Sequence, residues 1–202
     1  MSQQPGLRER KRRAAMRHVQ HVALDLFDEY GFSGVTIDQI AEVAEVSPSS
    51  VYRYFGTKEG LVLVDPSGGD SRIQSVAREA RGAEVIGVAR ARLVDYLTHG
   101  MEDDVTQRRV RYLMEVPALQ AAMSQKLFER LRFIGEEFAR EHREDDGITF
   151  DIQVALGATY GAVLGALQYW HATSFSEPLT ELLDRTLATL SQGLPDQTSS
   201  PV

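Results

Sequence analysis

Apolar residues recur along this chain at steps of three and four, and strict alternation is almost absent. Val19, Val22, Ala23, Leu26 and Phe27 mark one face of an amphipathic helix. The spacing predicts a helix from about Arg10 to Glu29, stopped at Tyr30 and Gly31. Thr36 and Gln39 have the spacing of a capping box, in which each side chain bonds the other's backbone N–H. A short helix with Ile37, Ile40, Ala41 and Ala44 on one side follows, then a break at residues 44–46. Ser47 is a natural N-cap, and Pro48 suits the first helical position because the N–H it lacks has no partner there anyway. That third helix should run to Phe55, with Val51 and Phe55 inside. Thr57 caps a fourth helix carrying Leu61, Val62 and Val64, interrupted by residues 66–69.

Longer helices are predicted at 71–81, 84–98, 104–116, 118–141 and 150–172. A last one opens after Pro178 with Leu179, Leu182, Leu183, Leu187 and Leu190 on one side and ends at residues 193–195. The acidic stretch 144–147 reads as a loop. The fold class is all-α.

Composition narrows the chemistry. Of 202 residues 43% are hydrophobic and 25% charged, which is ordinary globular usage. There is no cysteine, which excludes disulfides, thiolate metal sites and a cysteine nucleophile and fits a cytoplasmic protein. The first apolar run follows Arg8–Arg17 and is amphipathic, unlike a signal peptide. The stretch 150–172 contains Gln153, Thr159, Tyr160 and Gln168, which argues against a membrane span of ~20 residues. No phosphate-cradling glycine loop, nucleophile elbow or metal-protease motif is present, so no enzyme activity is expected. His18, His21 and Asp25 share a helix face but adjoin the basic arm, and no metal or cofactor is expected.

Charge is unevenly spread. Residues 1–20 hold six basic side chains against Glu9 alone, a net of +5, which leaves −12 on the remaining 182. A basic arm on an acidic body is either a solvated start to the chain or a polyanion-binding segment. Two short helices joined by a tight turn, the second opening at Ser47 and Pro48, have the shape of a helix-turn-helix. In that motif the second helix enters the major groove. The outer face of Pro48–Tyr54 carries Ser49, Ser50, Tyr52, Arg53 and Tyr54, with hydroxyls for phosphates or base edges and a guanidinium suited to guanine. The same pattern also describes a helical hairpin in an ordinary α-domain.

Residues 10–65 resemble the DNA-binding domain of the TetR (tetracycline repressor) family of bacterial regulators. The resemblance is carried by residues 23–27, Tyr30, Gly31, Phe32, 35–41, Ala44, Val46, Ser47, 51–55 and Thr57, Lys58 and Glu59. It implies backbone-phosphate contacts for Thr36, Ser47, Tyr52 and Lys58, with Tyr54 flanking the exposed face. It implies base-facing positions for Pro48, Ser49, Ser50 and Arg53. Arg10, Arg12 and Arg13 of the arm join this DNA-binding set. The family turn usually has glycine where this chain has Glu45, which is strained by roughly 1 kcal/mol or more if the left-handed geometry is kept.

The implied organisation is a flexible basic arm (1–9), a helix-turn-helix domain (10–56), connecting helices (57–83), an effector and dimerisation domain (84–193) and a flexible tail (194–202). Gly157, Gly161 and Gly165 recur every fourth residue, a small-residue stripe that packs either within the chain or against a second copy. The resemblance puts dimerisation here, with Leu179, Leu183 and Leu187 as partners. It also implies an effector pocket, for which Tyr96, Met101, Tyr112, Met114, Met123, Phe128, Tyr160, Tyr169 and Trp170 are the candidate lining. The basic cluster Arg108, Arg109 and Arg111 either receives an anionic effector or pairs with nearby acids. The expected function is a homodimeric regulator that represses from a palindromic operator until a small molecule releases it. The alternative is a helical ligand carrier or partner-binding module that does not bind DNA.

Overall fold

The computed structural model describes residues 6–66, 103–141 and 150–192. All regular elements among them are helices: α1 (Leu7–Tyr30), α2 (Ile37–Val43), α3 (Pro48–Phe55), α4 (Gly60–Leu63), α5 (Asp103–Glu115), α6 (Pro117–Glu141), α7 (Phe150–Ala172) and α8 (Leu179–Gln192). The helices expected at 71–81 and 84–98, the acidic loop at 144–147 and the tail lie outside the described residues.

Two compact units divide these elements. The first contains α1–α4, α5 and the start of α6 as far as Lys126; the second contains α6 from Leu127, α7 and α8. In the first unit α1 supplies Val19, Ala23, Leu24 and Phe27 to the core. Ile40 and Ala41 of α2, Val51 and Phe55 of α3, and Leu61 and Val62 of α4 close over them. Val105, Tyr112 and Leu113 of α5 and Leu119 of α6 complete the same cluster. The resemblance assigns α5 to the effector domain, yet it packs on α1 and α4. The reason is its inner face, which presents Val105, Arg109, Tyr112 and Leu113 to that core at steps of three and four.

α1 starts at Leu7, so residues 7–9 belong to a helix and not to a flexible arm. Glu9 accepts from Arg13 Nε at 2.9 Å and from Arg12 at 3.5 Å, the i+4 and i+3 pairings that support a helical turn. The two short helices are capped as their residues predict. Gln39 N donates to Thr36 Oγ1 at 3.2 Å, and Thr36 N donates to Gln39 Oε1 at 2.8 Å. Ser50 N donates to Ser47 Oγ at 3.2 Å, with Pro48 in the first turn.

Between them the turn keeps its left-handed residue. Glu45 has φ +54°, Val46 N donates to Ala41 O at 2.9 Å, and Glu45 N donates to Glu42 O at 3.1 Å. These two bonds are the Schellman pair that ends a helix, here with glutamate in the position glycine favours. Gly60 has a different constraint, because a Cβ there would fall onto the Phe55 carbonyl oxygen. Glu45→Gly should therefore raise stability by about 1 kcal/mol, and Gly60→Ala should lower it by about 1–3 kcal/mol. Urea unfolding of both variants checks the pair, and the same sign for both would contradict this account of the two turns.

Candidate nucleic-acid interface

α3 buries Val51 and Phe55, and this sends Ser49, Tyr52 and Arg53 outward. Tyr52 is 54% exposed. Ser47 Oγ lies 2.9 Å from the hydroxyls of both Ser49 and Ser50. Arg53 donates to Ser50 Oγ at 3.2 Å, and its guanidinium lies 5.1 Å from the centre of the Tyr54 ring. The arginine is thus laid along the outer face of the helix and needs little reordering to meet a ligand. Thr36 and Pro48 are exposed at the starts of α2 and α3. Tyr54 differs from Tyr52: it is half-buried, packs on the core and meets Phe55 edge-on at 6.4 Å.

Lys58 is the other cation of this region. Its ammonium lies 4.5 Å from the centre of the Phe32 ring and 5.9 Å from that of Phe27. Burial holds its pKa below the usual lysine range. Arg10 and Arg12 are exposed on α1, while Arg13 is partly covered and bonded to Glu9.

The unit is tied to α5 by polar contacts that sequence reasoning did not identify. Arg108 donates to Asp25 Oδ1 at 2.7 Å and pairs with Asp28 Oδ2 at 2.7 Å. Arg111 also donates to Asp28, and the Tyr112 hydroxyl donates to Asp28 Oδ1 at 2.6 Å. Arg109 Nε donates to Val62 O at 2.6 Å, while Gln20 Nε2 donates to Leu61 O at 2.7 Å and Val64 O at 3.1 Å. Side chains from α1 and α5 thereby satisfy carbonyls at the end of the four-residue α4, which the helix itself leaves open. Burial alone would lower the Arg108 pKa, but Asp25 and Asp28 hold it above the usual value. Burial, reinforced by Asp28, pushes the Tyr112 hydroxyl up to about 12. Of the two readings of the basic cluster, pairing with acids is the one realised for Arg108 and Arg111, on Asp25 and Asp28 of α1 and, for Arg108, also on Asp104 of α5 at 3.8 Å. Gln20 carried a signal, since it is a polar residue on the apolar stripe of α1 and is only 2% exposed. Asp25, which shares a helix face with His18 and His21, is engaged by Arg108.

The described residues of the predicted pocket divide between the two units. Tyr96 and Met101 lie outside the described residues. Tyr112 is a core residue of the first unit, and Met114 and Met123 pack against the same core. Tyr112 is therefore a correction: its ring meets Phe27 edge-on at 5.8 Å and its hydroxyl is spent on Asp28. Phe128 is 73% exposed and Tyr169 51% exposed, so both lie on the surface. Tyr160 is half-buried. Trp170 is 3% exposed, donates from Nε1 to Glu177 O at 2.7 Å and meets Phe175 edge-on, which makes it part of the packing between α7 and the turn after it.

Gly157, Gly161 and Gly165 are exposed on α7, and a Cβ at any of them would meet open space. Val154, Ala158 and Tyr169 continue the stripe. Leu183 and Leu187 are corrections, because each is 1% exposed and buried inside the protomer, where α8 packs on α7. Leu179 is half-buried.

The chain matches two family models. Residues 21–64 match "Bacterial regulatory proteins, tetR family", and residues 83–195 match "MftR C-terminal domain". It is 30% identical over 200 residues to the HTH-type transcriptional regulator TcmR of Streptomyces glaucescens, covering 92% of this chain and 87% of that one. It is 25% identical over 187 residues to the transcriptional regulator MftR of Mycobacterium tuberculosis, covering 92% and 93%. Its fold is similar to that of the fatty acid degradation regulator FadR from Bacillus halodurans, with TM-score 0.55, 17% identity and 96% and 99% coverage. It is also similar to SmeT in its triclosan complex, with TM-score 0.53, 18% identity and 94% and 99% coverage.

Removing the Asp28 carboxylate should loosen the contact between α1 and α5. Asp28→Ala leaves the Tyr112 hydroxyl without its acceptor and should destabilise by about 1–2 kcal/mol, discounted for partial exposure. Glu42→Ala, on an exposed face, should stay within about 0.5 kcal/mol. Equal effects in urea unfolding would contradict the weight given to Asp28. The raised Tyr112 pKa also fixes a sign. Its contribution is complete below the ordinary tyrosine value near 10 and is lost as pH rises towards about 12. Ultraviolet titration should show a tyrosine ionising near 12 that Tyr112→Phe removes.

Proposed function

Because the chain belongs to the TetR family of bacterial transcriptional regulators, we propose that it is a homodimeric repressor, bound to a palindromic operator and released by a small-molecule effector. Regulators of this family bind DNA operators and small-molecule effectors, act as dimers and are not enzymes. The observation that carries the reading is α3 itself. It is a capped, proline-initiated helix behind a Schellman turn, with Ser49, Tyr52 and Arg53 exposed. A helix so presented can lie in the major groove, where Arg53 would bond guanine O6 and N7 and the hydroxyls would fix the register on phosphates. Thr36, Ser47, Tyr52 and Lys58 are the proposed phosphate contacts. For Lys58 this requires the ammonium to swing off the Phe32 ring.

Dimerisation is supported by the stripe on α7. Three glycines, an alanine and the apolar Val154 lie exposed along one side of a helix, a surface that lets a second backbone approach closely. Two copies would set their α3 helices against half-sites one turn of duplex, ~34 Å, apart. α5 offers the effector a route to the DNA unit, since its three arginines and Tyr112 bond α1 and α4. Among the described residues no helix is long and apolar enough to cross a membrane.

Selection from a random pool of duplex DNA tests the reading. A palindrome should be enriched, and Arg53→Ala should lose about 1–3 kcal/mol of discrimination at one base pair of each half-site. Gly161→Leu should weaken self-association, measured by analytical ultracentrifugation. Enrichment of no sequence by the unaltered chain would leave the carrier reading instead.

A further inference from the structure

Arg108 and Arg111 are bound to Asp28 and Arg185 to Glu177, so their charges are met within the chain. Arg53 is held in another way. Its Nη2 donates to Ser50 Oγ at 3.2 Å, and its guanidinium lies 5.1 Å from the centre of the Tyr54 ring. Tyr54 is itself fixed, because it packs against the core. A carboxylate would neutralise the arginine. A hydroxyl and a ring face set its direction and leave its charge for a ligand.

Ser50 is half-buried, whereas Ser49 beside it is exposed. Ser50 and Arg53 stand three residues apart and share a side of α3. A guanidinium has donors and no acceptor, so Ser50 Oγ accepts from it. That bond makes the Ser50 O–H a stronger donor. Ser47 Oγ lies 2.9 Å away and already accepts from Ser50 N at 3.2 Å. Its second lone pair takes the Ser50 proton, and its own proton then goes to Ser49 Oγ, also at 2.9 Å. The reverse order would strand an unbonded proton on half-buried Ser50, which is the costlier arrangement. A chain of hydrogen bonds thus runs from Arg53 through Ser50 to the N-cap of α3 and ends on exposed Ser49. Ser50 spends its proton inside the helix, while Arg53 keeps donors enough for the paired acceptors O6 and N7 of guanine.

We propose that Ser50 is a positioning residue for Arg53: it fixes the guanidinium in the pose that reads a base pair and itself touches no DNA. This deepens the DNA-binding reading above and rests on it. The resemblance implies a base-facing place for Ser50; its hydrogen bonds give it a different task. An arginine side chain without such a hold samples many rotamers, and ordering it on binding costs affinity. Held in advance, it loses less freedom and discriminates more sharply against the wrong base.

The test compares the full chain with Ser50→Ala, Ser50→Thr, Arg53→Ala and the double variant Ser50→Ala/Arg53→Ala, each in selection from a random pool of duplex DNA. Ser50→Ala should weaken the preference at the base pair that Arg53→Ala relaxes, by about three- to tenfold. Ser50→Thr keeps a hydroxyl and should restore that preference. In the double variant the loss of Ser50 should add nothing at that base pair. A merely structural role would neither single out one base pair nor vanish with Arg53. A second measurement needs no DNA. Nitrogen-15 relaxation of the Arg53 Nε–H group should show a more mobile guanidinium in Ser50→Ala than in the unaltered chain or Ser50→Thr. Selection by Ser50→Ala that matches the unaltered chain would overturn the proposal. So would relaxation at a different base pair, a loss of affinity alike for every sequence, a loss that adds to that of Arg53→Ala, or equal mobility of Arg53 in all three proteins. If the unaltered chain enriches no sequence while Ser50 still restrains Arg53, the DNA-binding reading itself has failed and this proposal falls with it.

Discussion

The carboxylate of Asp28 is the point on which the DNA-binding unit turns. Arg108, Arg111 and Tyr112, all from one helix, converge on it. A single exposed ion pair contributes little. Here the pairs form a network with a buried phenol, and a hydrophobic cluster lies beneath it in which Tyr112 packs against Phe27. Arg109 extends the network to α4 and Gln20 extends it from α1. α4 has four residues and could not persist alone, because one turn of helix leaves most of its backbone groups open. Its carbonyls are held by the helices on either side.

This arrangement bears on how a signal would reach the DNA. A change at α5 acts on α1 and α4 together through directional bonds, not through a soft apolar contact. α3, in contrast, joins this network through the shared core, by Val51 and Phe55 with Tyr54 packed against them. Its outward face is left to Ser49, Tyr52 and Arg53. The unit thus separates what is held from what is presented.

The helix-turn-helix was legible in the sequence because its determinants are local. Thr36 with Gln39, Ser47 with Ser50, and Glu45 in its turn each act within three residues or so, and every one can be read without knowing the fold. The Asp28 network was not legible, since its partners Arg108, Arg111 and Tyr112 stand 80 to 84 positions away. Tyr112 looked like a pocket residue because an aromatic at helical spacing reads alike whether it lines a cavity or fills a core. The stripe Leu183 and Leu187 misled for a similar reason: spacing shows that a face is apolar but not whether the chain or a second copy covers it. The glycines of α7, in contrast, are exposed in the single chain. α1 begins earlier than its apolar spacing predicts because Glu9, a single acid among cations, extends the helix.

The claim that α5 belongs energetically to the DNA-binding unit is tested most directly by native-state hydrogen exchange on the full chain. Amides of Val110–Leu113 in α5 and of Ala23–Phe27 in α1 should open with the same free energy and respond alike to denaturant, as one cooperative unit. If α5 opens at markedly lower free energy while α1 stays protected, the bonds to Asp28 do not join the two helices and the account is wrong.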